Sequence, residues 1–283
     1  LDETKLLERM NRISSELPVF PVTNGLTADG PDLGSSNFPT LRPPKILMLT
    51  GNGVTPEAAG EIWHLLDTRY GLPVTMVEND RLSQVNLQKY NVLILPDGNY
   101  NTGPAPDKVR EFANGGGTVI AIGDALQWVR KTGLAALEFR NATFDLLGRR
   151  PYDVLDRDRG ARRMAGAIFE AELDLTHPLC FGYERTRLPI FLGDTIFIEN
   201  TKNPYATPVF FTKEPLLAGY IHPKQKPLVA NSAAVTVSGA GRGRVICFAG
   251  NPNFRAFWYG TNRLFANAIF FGNLVSSEAL ERK

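Results

Sequence analysis

The sequence has few of the residues that build metal centres and disulfide frameworks. Among 283 residues it contains two cysteines and three histidines. Cys180 and Cys247 are too few for a disulfide framework or a four-thiolate zinc site, and their apolar neighbours are typical of buried, unreactive thiols. His64 lies three residues before Asp67 on a predicted helix, but no convincing third ligand accompanies them, as zinc binding would require. We therefore expect no metal and no cofactor in this chain.

An excess of one charge and a long apolar run are also missing. Lys and Arg number 31 against 29 for Asp and Glu, a net charge of +2, which gives no general attraction to nucleic acid or to an anionic membrane. The arginine-rich segment 149–163 also carries aspartates and is typical of a solvated surface. No run of eighteen apolar residues occurs. We therefore expect neither a membrane span nor a nucleic-acid partner.

The first 44 residues differ in character from the rest of the chain. The sequence begins at Leu1 without a signal-like apolar stretch, so we expect a processed product or part of a longer polypeptide. Residues 1–16 predict an amphipathic helix, and residues 17–44, rich in Pro, Gly, Ser and Thr, predict a linker or an extended wrapping arm. The apolar face of the predicted helix consists of Leu6, Leu7, Met10 and Ile13.

From Lys45 onward, short apolar runs alternate with amphipathic segments. Such alternation predicts right-handed βαβ units and a parallel sheet flanked by helices. The predicted strands are residues 46–49, 74–77, 92–95 and 118–122. We therefore expect an α/β domain over residues 45–275.

The pattern changes in the second half of this domain. Short β-like runs are closely punctuated by Pro and Gly between residues 149 and 243, which predicts a β-rich, antiparallel insertion. Residues 234–237 and 244–248 predict a hairpin that returns into the core, and residues 261–275 predict a buried helix. Residues 276–283 are expected to form a C-terminal tail.

Candidate catalytic residues follow the predicted parallel strands. Ligands of open parallel sheets bind beyond the carboxyl ends of the strands, where Asp97 and Asp124 lie in this sequence. A strand that runs into a tight turn and a helix is a typical place for a nucleophile, but Gly123 has no side chain, and Asp124 is typical of a helix cap. His177, in a Thr-His-Pro loop, is the remaining candidate. None of the three is assigned a catalytic role.

Residues 251–263 combine four aromatic side chains with two arginines. One interpretation is a packed corner, in which the aromatic rings fill volume and the arginines satisfy carbonyl groups. The alternative is an aromatic cleft for a peptide or a glycan, formed by Phe257, Trp258 and Tyr259.

The order of several motifs resembles class I glutamine amidotransferase-like domains. The motifs are the Pro96-Asp97-Gly98 loop, the Gly-Gly-Gly-Thr start of a strand at 115–118, and the sharp turn in Val-Ile-Ala-Ile-Gly-Asp at 119–124. The resemblance implies a flavodoxin-like α/β architecture. In active members a cysteine nucleophile stands where this chain has Gly123, and a His-Pro-Glu string stands where it has His177-Pro178-Leu179. The resemblance therefore implies an amidotransferase-like domain without its nucleophile.

A narrower resemblance covers residues 60–74, 90–97, 177–182 and 251–263. These strings are similar to the carboxy-terminal domain of large bacterial zinc carboxypeptidase-like proteins, whose zinc motif is absent from this sequence. The resemblance implies a non-catalytic accessory domain whose partner is an upstream peptidase domain of the same polypeptide. It also implies that zinc is held upstream, that peptide is the substrate, and that the protein is exported to the periplasm or secreted.

Two other hypotheses remain open at this point. A stand-alone hydrolase would bring Asp97, Asp124 and His177 together in a cleft at the strand ends, with a shifted carboxylate pKa. A peptide- or glycan-binding module would expose the aromatic side chains of residues 257–259.

Overall fold

The structure of the chain is a computed structural model that describes residues 2–35, 38–101, 103–144, 149–193 and 196–282. It contains two compact units, Leu1–Leu41 and Arg42–Lys283. Within the described ranges, no helix is both long and apolar enough to cross a membrane.

The first unit consists of one helix followed by irregular chain. Helix α1 spans Glu3–Glu16, and the Asp2 side chain accepts a hydrogen bond from the Lys5 N–H at its start. No residue of α1 is buried. The remainder of the unit is held by turns, such as the one in which Asp32 Oδ1 accepts from the Thr27 N–H at 2.8 Å.

The second unit begins with the predicted βαβ units. Strands β1, β3 and β4 are buried along almost their whole length, because flanking elements cover both faces of a parallel sheet. The pairing order is β2-β1-β3-β4, and all three pairings are parallel. The elements are β1 (Ile46–Thr50), α2 (Pro56–His64), β2 (Val74–Glu78), β3 (Val92–Leu95), α3 (Pro106–Asn114), β4 (Thr118–Ile122) and α4 (Ala125–Lys131).

The chain then builds an antiparallel half before it returns to the core. Strand β6 alternates buried and half-buried residues, the period-two pattern of a sheet with one face better covered than the other. The elements are β5 (Phe139–Arg140), α5 (Leu155–Arg162), β6 (Ala167–Leu173), β7 (Arg187–Leu192), β8 (Phe197–Ile198), β9 (Val209–Gly219), α6 (Lys226–Val229), β10 (Ala233–Ala240), β11 (Gly243–Phe248) and α7 (Asn262–Phe271). Strand β9 carries a register irregularity against β6.

Strand β11 joins the two halves of the sheet. It pairs parallel with β4 and antiparallel with β10, so the order across the sheet is β2-β1-β3-β4-β11-β10-β9-β6-β7, with β5 and β8 attached beside β10. The predicted hairpin over β10 and β11 and the predicted α/β fold with a mainly parallel core are confirmed.

The last residues pack against the sheet. The Glu281 N–H donates to the Val237 carbonyl, and the Gly239 N–H donates to the Glu281 carbonyl. Leu280 and Glu281 are buried. The segment predicted as a tail thus lies beside β10 as far as it is described.

Candidate functional site

The loops after β1 and β3 meet at the carboxyl edge of the sheet. Strand β1 lies between β2 and β3, so this is where the strand order reverses and where such sheets usually open a crevice. Here the Thr55 N–H donates to the Asp97 carbonyl at 2.9 Å. A Cβ on Gly98 would overlap the Gly53 carbonyl oxygen and lie 2.8 Å from the Val54 Cα. Backbone contacts therefore hold the two loops together at this edge.

The turn after β4 has the backbone of a nucleophile elbow without the nucleophile. Gly123 has a φ of +57°, in the left-handed region that side chains rarely adopt. A Cβ at this position would overlap Oδ1 of Asp97 and lie 2.8 Å from its Cγ. The carboxylate of Asp97 thus occupies the space into which a side chain at residue 123 would project.

The same carboxylate binds the backbone donors of the turn. Asp97 Oδ1 accepts a hydrogen bond from the Asp124 N–H at 2.7 Å, and the Gly98 N–H also donates to it. In hydrolases with a comparable elbow, the N–H of the residue after the nucleophile is one donor of the oxyanion hole. In this chain the N–H at that position, of Asp124, donates to the Asp97 carboxylate instead.

Partial burial sets the electrostatics of this carboxylate pair. Burial raises the pKa of Asp97 above its ordinary value of 3.8, against the opposing effect of its two N–H donors. The pKa of Asp124 is raised as well, first by partial burial and then by the charge of Asp97. Asp124 occupies the predicted cap position of α4, but its side chain makes no capping hydrogen bond.

An open cleft of about 280 Å³ lies beside this turn. Its walls come from the loop after β3 and from one face of α4, and they combine charged, amide and aromatic side chains. The lining residues are Asn99, Tyr100, Asn101, Asp124, Gln127, Trp128 and Lys131. Sequence reasoning singled out only Asp124 of these, although the spacing 124, 127 and 131 on a predicted helix would have placed three of them on one face.

His177 lies apart from the two aspartates. It follows β6, and strands β11, β10 and β9 separate β6 from β4, each step being about 4.8 Å. Its Nδ1 accepts from the Leu179 N–H at 3.1 Å, and within the described residues its buried Nε2 has no partner. Burial lowers the pKa of His177 to about 4, although Asp174 opposes this shift. The imidazole is therefore neutral at neutral pH.

The stand-alone hydrolase hypothesis required three side chains to converge. The structure brings Asp97 and the Asp124 backbone into hydrogen-bond contact, but His177 makes no hydrogen bond to either aspartate in the part of the chain that is described. The expected convergence is therefore wrong for His177. Its position is fixed by packing instead, because Asn267 of α7 donates to the Leu179 and Phe181 carbonyls at 2.8 and 2.9 Å.

The other histidine and cysteine positions offer no alternative centre. His64, the last residue of α2, and Asp67 are both exposed. The described residues hold no group of three or more His, Cys, Asp or Glu side chains that could bind a metal ion. Cys180 and Cys247 are buried, and burial raises the pKa of each thiol to about 12. The prediction of buried, unreactive thiols is confirmed.

The aromatic loop is anchored to α2 by one carboxylate that sequence reasoning missed. Glu61 accepts from the Asn251 side chain through Oε2 at 2.5 Å and from the Arg255 N–H through Oε1 at 2.7 Å. Asn253 donates to the Glu61 carbonyl. These contacts hold Arg255 and Ala256 at φ values of +50° and +56°, two successive left-handed residues without glycine.

The anchored loop is packed at its base and open at its tip. Phe254 stacks on Phe191 with 3.7 Å between ring centroids, as a packed corner would. Phe257 and Tyr259 are 54% and 61% exposed, however, and the Arg69 guanidinium lies 4.3 Å from the Tyr259 ring centroid. Trp258 is half-buried and donates weakly to the Pro189 carbonyl at 3.4 Å. The loop therefore presents two rings on a rigid base.

We expect Gly123→Ala to destabilise the protein by about 1–3 kcal/mol, because the new Cβ meets Asp97 and a non-glycine residue is strained at this φ. When Asp97 is already replaced by alanine, the destabilisation caused by Gly123→Ala should be smaller by about 0.5 kcal/mol or more, because the overlapping carboxylate is gone. Urea unfolding of the four proteins measures this coupling. Gly60→Ala, in open space on α2, serves as the control and should stabilise by about 0.4–1 kcal/mol. Additive costs at residues 97 and 123 would contradict the described packing.

We expect Asp97→Asn to gain stability relative to the parent protein as the pH rises. Because its pKa is raised, Asp97 binds a proton more tightly in the folded protein than in the unfolded chain. The parent protein therefore loses stability as the pH rises from below 3.8, the ordinary pKa, through the raised pKa of the folded state. The asparagine keeps an oxygen acceptor for the Asp124 N–H and carries no charge. Unfolding free energies of both proteins at pH 3 and pH 7 test this. A parent protein that gains on the variant between these pH values would refute it.

Comparison with known proteins gives structural matches only. No protein-family model matches the sequence, and no curated protein matches it. Among solved structures, PurLQS from Thermotoga maritima superposes with a TM-score of 0.53 at 13% identity, over 80% of this chain and 98% of that one. A ThuA-like protein from Parabacteroides merdae superposes with a TM-score of 0.53 at 13% identity, over 86% of this chain and 93% of that one. At 13% identity the structural similarity shows the fold alone. The chain has the amidotransferase-like α/β fold.

Proposed function

We propose that this chain is a non-catalytic accessory domain of a zinc carboxypeptidase-like protein. The observation that carries the non-catalytic part is the turn after β4, where Gly123 replaces a nucleophile and Asp97 binds the N–H donors beside it. A tetrahedral oxyanion would have to compete with this carboxylate for the Asp124 N–H.

The remaining groups do not compensate for the missing nucleophile. His177 is buried and neutral, and three strands separate its strand from β4. The thiols of Cys180 and Cys247 are buried with raised pKa values, so neither is a ready nucleophile. A domain with this geometry serves its protein by shaping, stabilising or presenting rather than by bond cleavage.

The peptidase context of the proposal rests on the sequence resemblance in residues 60–74, 90–97, 177–182 and 251–263. In this proposal an upstream peptidase domain holds the zinc and cleaves peptide, and the whole protein is exported. The present chain would stabilise that domain or help to present its substrate.

We expect the purified chain to leave glutamine and p-nitrophenyl acetate unhydrolysed above the buffer rate, because the elbow lacks a nucleophile. We expect the natural polypeptide from its source cells to have a mass well above the 31.2 kDa of this chain and to contain zinc. Intact-mass and metal analysis of that polypeptide test the second expectation.

Either of two results would overturn the proposal. The first is turnover by the purified chain that His177→Ala abolishes while His64→Ala, at an exposed histidine, leaves it unchanged. The second is a natural polypeptide of about 31 kDa without zinc, which would show that the chain works alone.

A second candidate function is a binding module for peptide or glycan, favoured by the exposed Phe257 and Tyr259 on their anchored loop. Exposed tyrosine and arginine on a rigid base are typical of binding hot spots. Polyproline peptides dock on such aromatic surfaces.

If the loop binds peptide, we expect Tyr259→Ala to weaken binding of a proline-rich decapeptide about tenfold, because truncation of a hot-spot ring costs more than about 1 kcal/mol. Fluorescence polarisation with the labelled peptide measures this, and labelled maltohexaose serves as the glycan probe. Tyr205→Ala removes a ring that is similarly exposed, at 67%, and should leave binding unchanged. Equal loss in both variants would speak against the aromatic loop as the binding surface.

A further inference from the structure

The cleft beside Asp124 presents side chains that the fold itself does not use. Among the described residues, the side chains of Asn99, Asn101, Gln127 and Lys131 take part in no hydrogen bond or ion pair, and the Asp124 carboxylate caps nothing. Three amides supply both donors and acceptors, and the two charged groups have opposite signs. The cleft therefore offers a complete set of polar partners to a ligand.

The two charges lie at opposite ends of one helix face. Asp124 and Lys131 are seven residues apart on α4, which places their Cα atoms about 10.5 Å apart along the axis and within about 20° of one another around it. Gln127 lies between them on the same face. A ligand on this face would meet a negative group at the start of the helix and a positive group at its end.

The walls of the cleft are held in place before any ligand arrives. Trp128 is 7% exposed and Tyr100 is 4% exposed. The Tyr100 hydroxyl donates to the Pro96 carbonyl at 2.9 Å. Gly103 lies so close to Trp128 that a Cβ there would overlap the indole ring. The aromatic wall is thus fixed by packing, which lowers the ordering cost of binding.

The size and the charges together restrict the ligand class. The cleft is open, and its volume of about 280 Å³ suits a small molecule. An anion would face the carboxylate of Asp124, a cation would face Lys131, and a neutral polyol would leave both charges unpaired. A small zwitterion satisfies both charged ends of the cleft. In a dipeptide the two charges are farther apart than in a free amino acid, because one additional residue adds up to about 3.6 Å.

We propose that this cleft binds a dipeptide, with its ammonium group at Asp124, its carboxylate at Lys131 and its peptide amide among Asn99, Asn101 and Gln127. The inference goes beyond the accessory role and does not depend on it, because it uses only the cleft of this chain. A domain without a nucleophile can in this way bind a product-sized peptide without cleaving it.

The test is calorimetric titration of the full chain with L-alanyl-L-alanine, which has eleven non-hydrogen atoms. Three analogues isolate the charges: N-acetyl-L-alanyl-L-alanine lacks the ammonium group, L-alanyl-L-alaninamide lacks the carboxylate, and L-alanine lacks the second residue. We expect a Kd of about 1 mM or tighter for the dipeptide and at least tenfold weaker binding for each analogue.

The variants assign each charge to its end of the cleft. Asp124→Asn should weaken binding of the dipeptide at least tenfold and leave binding of the acetylated analogue unchanged. Lys131→Met should also weaken binding of the dipeptide at least tenfold, and it should leave binding of L-alanyl-L-alaninamide unchanged. Asp156→Asn and Lys213→Met remove exposed charges elsewhere and should change nothing. Circular dichroism of each variant distinguishes lost binding from lost folding.

Several results would overturn the proposal. Among them are no heat from the dipeptide with the folded parent chain, equal binding of dipeptide and blocked analogues, and loss of binding in the Asp156 and Lys213 controls. Binding of a neutral sugar such as maltose in place of the dipeptide would also overturn it. None of these results bears on hydrolysis or on the upstream peptidase, so failure here is distinguishable from failure of the proposed function.

Discussion

The hydrogen bond from the Asp124 N–H to the Asp97 carboxylate is the interaction on which the candidate site depends. It fixes the loop after β3 against the turn after β4. The Asp97 carboxylate also fills the space that a side chain at residue 123 would need. Gly123 is required for this arrangement, because its φ is positive and its missing Cβ makes room for the carboxylate. The geometry that leaves no side chain at residue 123 is therefore also the geometry that holds the two loops together.

The loops after β1 and β3 touch through their backbones where the strand order reverses. The accessible polar groups lie one step away, along α4 and the loop after β3. The second accessible surface, at Phe257 and Tyr259, is fixed independently by Glu61 of α2. The fold thus carries two separate surfaces.

Much of the fold could be predicted from the sequence, because buried parallel strands are continuous apolar runs and their helices are amphipathic. Residues 46–49 and 118–122 show this, and both lie in the sheet as expected. The candidate site could be predicted less completely from the sequence. That Asp97 points at the Gly123 turn depends on the lateral pairing of β3 with β4, which no local pattern encodes. Glu61 likewise acts on residues 251–255, about 190 positions away in the chain. His177 is buried, and the segment that follows it is held by Asn267 of α7, far along the sequence, which the local pattern around His177 does not indicate.

The position of β11 has a consequence for how the chain reaches its native state. Ile122 pairs with Phe248, so these partners in adjacent parallel strands are 126 positions (248 − 122) apart in the chain. Until β11 is in place, β4 is an open edge of a hydrophobic sheet, and closing so long a loop is slow because its entropy is lost before the contacts form. A ribosome-bound chain would expose this edge while the whole antiparallel half is being synthesised. A chain with β4 unpaired would be prone to aggregation, as exposed hydrophobic strand edges are.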